Sequence, residues 1–344
     1  MARITIADDG IRFDGRTVEE RPLGGVESAV VYLARALAAR GHDVHVYNRC
    51  ERPLAHEGVR WTPIAEGIPD AADLFVANRG DKLIGLVPAA RRRVFWIHNP
   101  ARYLLKARYL SKLWRFKPVI VFIGTYHLTT YPRWAPGGER VIIPYGIPDS
   151  FLHAEASDSP PPPRAVFASN PLRSLDWLLE VWAGRIHARV PAAELHLFAG
   201  AATYGAVGAA KSAAMDAVLS RARSLSALGV VVRDPVPKPR LIAELQAARA
   251  MLYRGDLNET FCSAIGEAQA MGVPAVIQNL GAVAERVIDG ETGFVAADEA
   301  SFADAAGRIL VDDALWRRLH EGALAKQRRW GWPEAAAAFE SLIP

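Results

Sequence analysis

Cysteine is scarce. The 344 residues include two, Cys50 and Cys262, too few for a disulfide framework and suited to a reducing compartment. Neither stands in a C-x-x-C or beside a histidine at ligand spacing, which argues against a structural zinc. No apolar run approaches the roughly 20 residues that a bilayer-spanning helix needs. The opening MARITIADDG runs straight into strand-like alternation, so no secretory signal is expected and the chain reads as cytoplasmic. No short fixed repeat is visible. The last absence is local: residues 82–138 hold eleven Lys/Arg and no Asp or Glu. With a net charge of +4 overall, the rest of the chain is left at −7. Such asymmetry predicts a basic surface turned toward an anionic partner.

What remains is ordinary in bulk and patterned in detail. Hydrophobic residues make up 51% and charged residues 23%, as in soluble globular proteins, and the length suggests two domains, each with its own core. Short apolar strands are expected at 2–7, 42–47, 74–77, 94–97 and 119–123, with a helix over 28–40. A second series follows at 165–168, 194–198, 230–233, 250–253 and 275–277, with helices at 240–248, 299–311, 312–328 and 334–342. Alternation of this kind predicts an α/β protein of two Rossmann-like, doubly wound domains. The prolines of 158–163 read as a stiff interdomain linker.

Ligands of open α/β sheets bind where loops leave the carboxyl ends of strands. Residues 249–296 offer such a loop, ahead of a helix on which Phe261, Ala264, Ile265, Ala268 and Met271 recur at helical spacing. Glu259 and Glu267 lie eight positions apart, which on one continuous helix puts them near one face, about 12 Å apart along the axis. Two carboxylates that far apart cannot share one metal, but each can accept hydrogen bonds from hydroxyls at one end of an extended ligand. The helix start near Glu259 and Thr260 suits a phosphate. The pattern fits a nucleotide sugar. Gly24-Gly25 opens another helix and allows close approach of backbone to a ligand, while Glu27 could serve as a first-turn acid. His98 ends the 94–97 strand.

The order Glu259-Thr260-Phe261, Glu267-Ala268, Ala270, Gly272, Pro274, then Gly281, Glu285 and Asp289-Gly290-Glu291-Thr292-Gly293 resembles the family 4 retaining glycosyltransferases of the GT-B fold. The resemblance implies two domains facing across a cleft: 1–149 on the acceptor side, with 333–344 crossing back to it, and 150–332 holding the donor. It implies that Glu259 contacts the transferred sugar and Glu267 the ribose. Gly24 and Gly25 would face the donor phosphates and acceptor, and His98 the sugar or acceptor. Ser169, Asn170, Thr260, Phe261 and Cys262 would complete the donor site. The family's diphosphate clamp is an Arg and a Lys; here Arg173 falls on the Lys position and Ala168 on the Arg position. The family's hinge Asn is Tyr145. Glu259, His98 and Arg173 are thus the catalytic candidates. No cofactor beyond the donor is expected, and no metal, since no D-x-D occurs.

The basic stretch places Arg102, Lys106, Arg108, Lys112, Trp114 and Arg115 in one amphipathic helix over 102–117. Its bases and aromatics suit an anionic membrane surface, through residues 91–117, or a helix packed on the first domain's sheet. No recognition helix or RNA-binding strand supports nucleic acid. The expected activity is transfer from a UDP- or GDP-sugar to a glycan or lipid-linked acceptor in envelope polysaccharide or glycolipid synthesis, at the inner face of the membrane. A GT-B phosphorylase or epimerase, and a sugar- or membrane-binding module, are the competing readings. For the first, Lys211 and Lys238 lie in no matching context.

Overall fold

The computed structural model describes residues 1–200 and 205–344. The chain forms two compact units. One comprises Met1–Glu20, Gly24–Gly146 and Trp330–Pro344; the other comprises Arg21–Leu23 and Ile147–Arg329.

In the first unit the strands are β1 (Arg3–Asp8), β2 (Asp43–Asn48), β3 (Leu54–His56), β4 (Val59–Pro63), β5 (Ala71–Asn78), β6 (Ala89–Trp96), β7 (Val119–Phe122) and β8 (Arg140–Ile142). They make one sheet in the order β3-β4-β2-β1-β5-β6-β7-β8. All pairs are parallel except β3 with β4. The central strands are buried on both faces, hence their continuous apolar runs. The short hairpin of β3 and β4 carries little of that pattern, and its place was not legible from alternation. The helix Gly25–Ala39 covers the sheet with Val30, Val31, Leu33, Ala34 and Leu37.

The C-terminal helix, Trp332–Glu340, belongs to this unit. Trp332 stacks on Tyr32 at 5.9 Å between ring centroids, and Phe339 meets Trp96 edge-on at 5.2 Å. Arg40 and His42 both reach Glu340, and Arg92 donates to the Leu342 carbonyl at 2.9 Å. Gly146 has no room for a side chain, since a Cβ there would come within 2.2 Å of the Trp332 nitrogen. The chain leaves this unit directly after Gly146.

The second unit contains β9 (Arg164–Phe167), β10 (Glu194–Phe198), β11 (Val230–Arg233), β12 (Ala250–Leu252), β13 (Ala275–Gln278) and β14 (Gly293–Ala296). Among the described residues they pair in parallel, in the order β11-β10-β9-β12-β13-β14. The proline run expected to link two domains lies inside this unit. Pro161 is buried, and the buried Arg249 holds it by donating to its carbonyl at 3.2 Å, to that of Ile309 at 2.7 Å and to Asp313 at 2.6 Å. The Pro162 and Pro163 carbonyls accept from the Arg164 and Glu194 nitrogens, and the guanidinium satisfies the one at Pro161.

Two motif features prove to be packing devices. The Thr292 hydroxyl accepts from the Ile288 nitrogen at 2.9 Å and from the Gln269 side-chain amide at 3.1 Å, and Asp289 accepts from the Val295 nitrogen at 2.8 Å. The Asp-Gly-Glu-Thr-Gly run therefore builds the turn into β14. Gly281, at φ +69°, packs where a Cβ would meet the Asp256 and Glu259 carbonyl oxygens at 2.2 and 2.8 Å. It lets one loop seat against the other, with the Ala282 nitrogen donating to Glu259 O at 2.9 Å.

Candidate active site

In the second unit the loops after β9 and β12 converge. The Asn170 side chain accepts from the Leu172 nitrogen at 2.9 Å and its carbonyl from Arg173 at 2.9 Å, an Asx turn that ends the β9 loop. Ser174, at φ +61°, donates its hydroxyl to the Gly255 carbonyl at 2.9 Å, which ties this loop to the one after β12. The helix Leu175–Val181 starts there.

The helix after β12 spans Ser263–Ala270. Glu259 is therefore not on it, contrary to the two-turn geometry expected from the spacing. Cys262 takes a left-handed conformation at φ +64° and breaks the path between them. Glu259 instead stands in the loop, where its nitrogen closes a turn on Asp256 O at 2.9 Å. Its carboxylate is buried and takes three donors. Arg173 pairs with it, the Tyr253 hydroxyl donates to it at 3.0 Å, and the Cys262 nitrogen donates at 3.3 Å. Ser169 bonds the same tyrosine. Burial, with the Glu259 charge alongside, pushes the Cys262 thiol well up, so it is a neutral packing group.

Glu267 is on the helix and 4% exposed. The Lys238 ammonium lies 2.6 Å from each of its two oxygens. Lys238, which no sequence motif pointed to, starts the helix Lys238–Gln246. Arg286 completes the set, its guanidinium 4.3 Å from the centroid of the Phe261 ring. Thr260 and Phe261 are buried. Two acids and three cations thus surround one loop-and-helix segment, each acid braced by a cation from a different element. Such preformed ion pairs can accept hydroxyl donors on the acids and receive an anion on the cations.

The first unit holds a separate polar chain at the carboxyl ends of β1, β5 and β6. Arg79 bridges two buried acids, Glu27 at 2.8 Å and Asp8 at 3.1 Å. Asn78 donates its amide to Asp8, and its oxygen meets His98 Nε2. The Tyr145 hydroxyl meets His98 Nδ1 at 2.5 Å. With the Asn78 nitrogen committed to Asp8, its oxygen must accept, so Nε2 carries the proton and Nδ1 accepts from Tyr145. Burial, with Arg79 and His127 adding to it, drives the His98 pKa far down and keeps the ring neutral. Desolvation, with the Glu27 charge adding to it, raises the Asp8 pKa, while the Gly10 nitrogen, the Asn78 amide and Arg79 donate to its oxygens and favour the carboxylate. The imidazole expected to touch sugar or acceptor thus has both nitrogens engaged within its own unit. Gly24 is the buried N-cap of the helix Gly25–Ala39, and Gly25 is exposed.

Asp8, Asn78 and Arg79 were not singled out from sequence. Buried polar residues at strand ends were the available signal. Elsewhere, Glu19, His56 and Glu57 bring three ligand atoms within 4.8 Å of one another. Arg35 already occupies that spot, 2.9 Å from Glu19 and 2.6 Å from Glu57.

The basic segment differs from the helix predicted over 102–117. A 3-10 turn at Ala101–Leu105 and an α-helix at Ala107–Phe116 meet at Lys106, which is extended. Leu104, Tyr109 and Leu113 are core. Asp81, one residue before the acid-free stretch, takes Lys112 at 2.8 Å and Arg108 at 3.6 Å. Arg102, Lys106, Arg108 and Arg115 remain exposed, with Trp114 at 69%. Among the described residues no helix is long and apolar enough to cross a membrane.

The model of glycosyltransferase family 4 matches residues 23–190, and that of the glycosyl transferases group 1 matches 163–312. A D-inositol 3-phosphate glycosyltransferase of Xylanimonas cellulosilytica is 39% identical over 112 residues, 32% of this chain and 27% of that protein. The chain thus aligns with about a quarter of the length of that relative. A sucrose-phosphate synthase of Thermosynechococcus elongatus superposes with a TM-score of 0.73 at 18% identity, over 98% of this chain and 97% of the other. Anabaena HepE, solved with UDP-glucose, gives 0.70 at 15% identity, over 99% of both chains. The two sheets are those of the GT-B fold. Matched by two glycosyltransferase models that together run from residue 23 to 312, the chain belongs to the family 4 glycosyltransferases of the GT-B fold.

Proposed function

We propose that this protein transfers a sugar, with retention of its anomeric configuration, from a nucleoside diphosphate donor to a glycan or lipid-linked acceptor. The observation that carries the reading is the pair of braced acids, Glu259 with Arg173 and Glu267 with Lys238, on one loop and helix of the second unit. Glu259 orients sugar hydroxyls and Glu267 receives the ribose. Arg173, aided by Lys238 and Arg286, offsets charge building on the leaving diphosphate, the task a divalent ion performs in metal-dependent transferases. Arg173 presents a planar fork suited to phosphate oxygens, and Arg286 stands in for the clamp Arg whose position is Ala168. No cofactor beyond the donor enters this scheme. Lys238 is engaged by both Glu267 oxygens, which disfavours a phosphorylase-type cofactor lysine.

A UDP- or GDP-sugar is expected to raise the melting temperature in a thermal-shift screen. At a concentration one hundred times Kd the gain is about 2.7 kcal/mol. Release of UDP or GDP with either sugar nucleotide should follow, which a mere binding module would not give. A flat melting temperature across all sugar nucleotides sinks the reading.

For the acceptor we favour a substrate at an anionic membrane of the cell envelope, approached from the cytoplasmic side. Trp114 stands exposed among Arg108 and Arg115, an amphipathic body beside lipid-attracting cations. Reversing Arg102, Lys106, Arg108 and Arg115 to Glu should abolish sedimentation with phosphatidylglycerol vesicles, each base contributing about 1 kcal/mol. Equal sedimentation of both proteins would end this part of the reading.

A further inference from the structure

Among the described residues, burial pulls three arginines below their usual pKa: Arg93, Arg286 and Arg328. Two of them are compensated by carbonyls. Arg93 donates to Val87 O at 2.6 Å, and Arg328 donates to Ala270 O and Ala154 O at 2.8 Å each. Arg286 has no such partner. Among the described residues no hydrogen bond or ion pair reaches its guanidinium, and its Nε is sealed from solvent and unpartnered. The group rests on the face of Phe261, 4.3 Å from the ring centroid, and the preceding residue, Glu285, acts on it only through space. A guanidinium carries five N–H donors, and a desolvated cation without a counter-charge is costly to keep.

A second donor stands close by. Gly266, on the helix Ser263–Ala270, makes the room. A Cβ there would come within 2.8 Å of Ile147 Cδ1 and would lie 3.7 Å from both Arg286 Nη1 and Gln327 Nε2. Gln327 ends the helix Asp313–Gln327 and is partly exposed, and its amide has no hydrogen-bond partner among the described residues. All four residues belong to the second unit. Two uncommitted donors, one of them charged and uncompensated, suit an anion with several oxygens, and the planar fork of an arginine matches phosphate geometry. We propose that Arg286 and Gln327, in the room left by Gly266, form a seat for a phosphoryl oxyanion. That group is either the outer phosphate of the donor or a phosphate carried by the acceptor. The seat follows from these residues alone, and only the first source rests on the nucleoside diphosphate reading.

The test compares the full chain with Arg286→Met and Gln327→Leu. Melting is followed against inorganic phosphate, with chloride at matched ionic strength as the reference, and UDP, UMP, GDP and GMP are titrated by calorimetry. Arg286→Met keeps an apolar stem on Phe261 and should lower the apparent affinity for phosphate about tenfold, as for the loss of one contact to a charged group. Gln327→Leu should lower it about threefold, and it carries the test alone should Arg286→Met fail to fold. If the preference for diphosphate over monophosphate falls with it, the seat holds the donor's outer phosphate. If phosphate affinity falls alone, the seat holds a phosphate of the acceptor. Unchanged phosphate affinity and unchanged diphosphate preference in both variants overturn the proposal and leave Arg286 a packing residue, while the donor reading stands. Binding of no nucleotide by the unaltered chain removes the donor reading, and the phosphate titration still decides the seat.

Discussion

Replacing Glu259 by Gln is expected to slow turnover of the sugar nucleotide by about 10²–10³-fold, the range seen when one preorganised charge-stabilising group is lost. The residue accepts from the Tyr253 hydroxyl at 3.0 Å and from the Cys262 nitrogen at 3.3 Å, and it pairs with Arg173. A glutamine has nearly the same shape, but its amide nitrogen is a donor. One of those three donors would then face another donor, and the pairing that aims Arg173 would be lost. Because the Arg173 side chain is 35% exposed, water can solvate it, and the stability loss should stay near 1–2 kcal/mol. The two effects separate in a paired measurement of initial rate and melting temperature at saturating donor. A variant that keeps more than a third of the rate would remove Glu259 from the reacting centre.

Acid should loosen the first unit well before its carboxylates titrate. His127 is fully buried, accepts from the Ile123 nitrogen at 3.2 Å through Nδ1 and contacts the Asn99 carbonyl at 2.9 Å through Nε2. Burial pushes its pKa down to about 4, and His98 lies well below its usual value for the same reason. Below about pH 6.5 the unfolded chain takes up protons at these rings and the folded chain does not. Their contribution is thus present above that pH and is lost as the pH falls toward 4. At pH 5 the loss is about 2 kcal/mol for His127, with His98 acting in the same direction, enough to lower the melting temperature by at least about 5 °C. Asp8, with its pKa raised by burial, acts with the opposite sign, and only in the range above its unfolded value near 3.8. Calorimetry at pH 7.5 and pH 5 checks this, and His127→Asn, which keeps an acceptor for Ile123, should show a shallower pH dependence. Equal melting temperatures at the two pH values would contradict it.

The motif run from Glu259 to Gly293 was readable because it is local, and its residues keep their order whatever the rest of the chain does. Its meaning was only partly readable. Asp289, Thr292 and Gly281 stood in the family pattern without a role, and they build turns that seat the Glu259 loop and β14. The basic stretch shows the opposite error. Counting charges over 82–138 missed Asp81, which lies one residue outside the window and holds two of the bases.

By itself the sequence determined the α/β alternation, the family pattern and the positions of the two acids, because hydrophobic periodicity and short motifs are properties of neighbouring residues. Only the tertiary structure decided who braces those acids and what occupies His98. Arg173 meets Glu259 across 86 positions, Lys238 meets Glu267 across 29, and Tyr145 meets His98 across 47. Parallel strands joined by crossovers bring residues distant in the chain to the same carboxyl edge. No local spacing encodes which of them will touch.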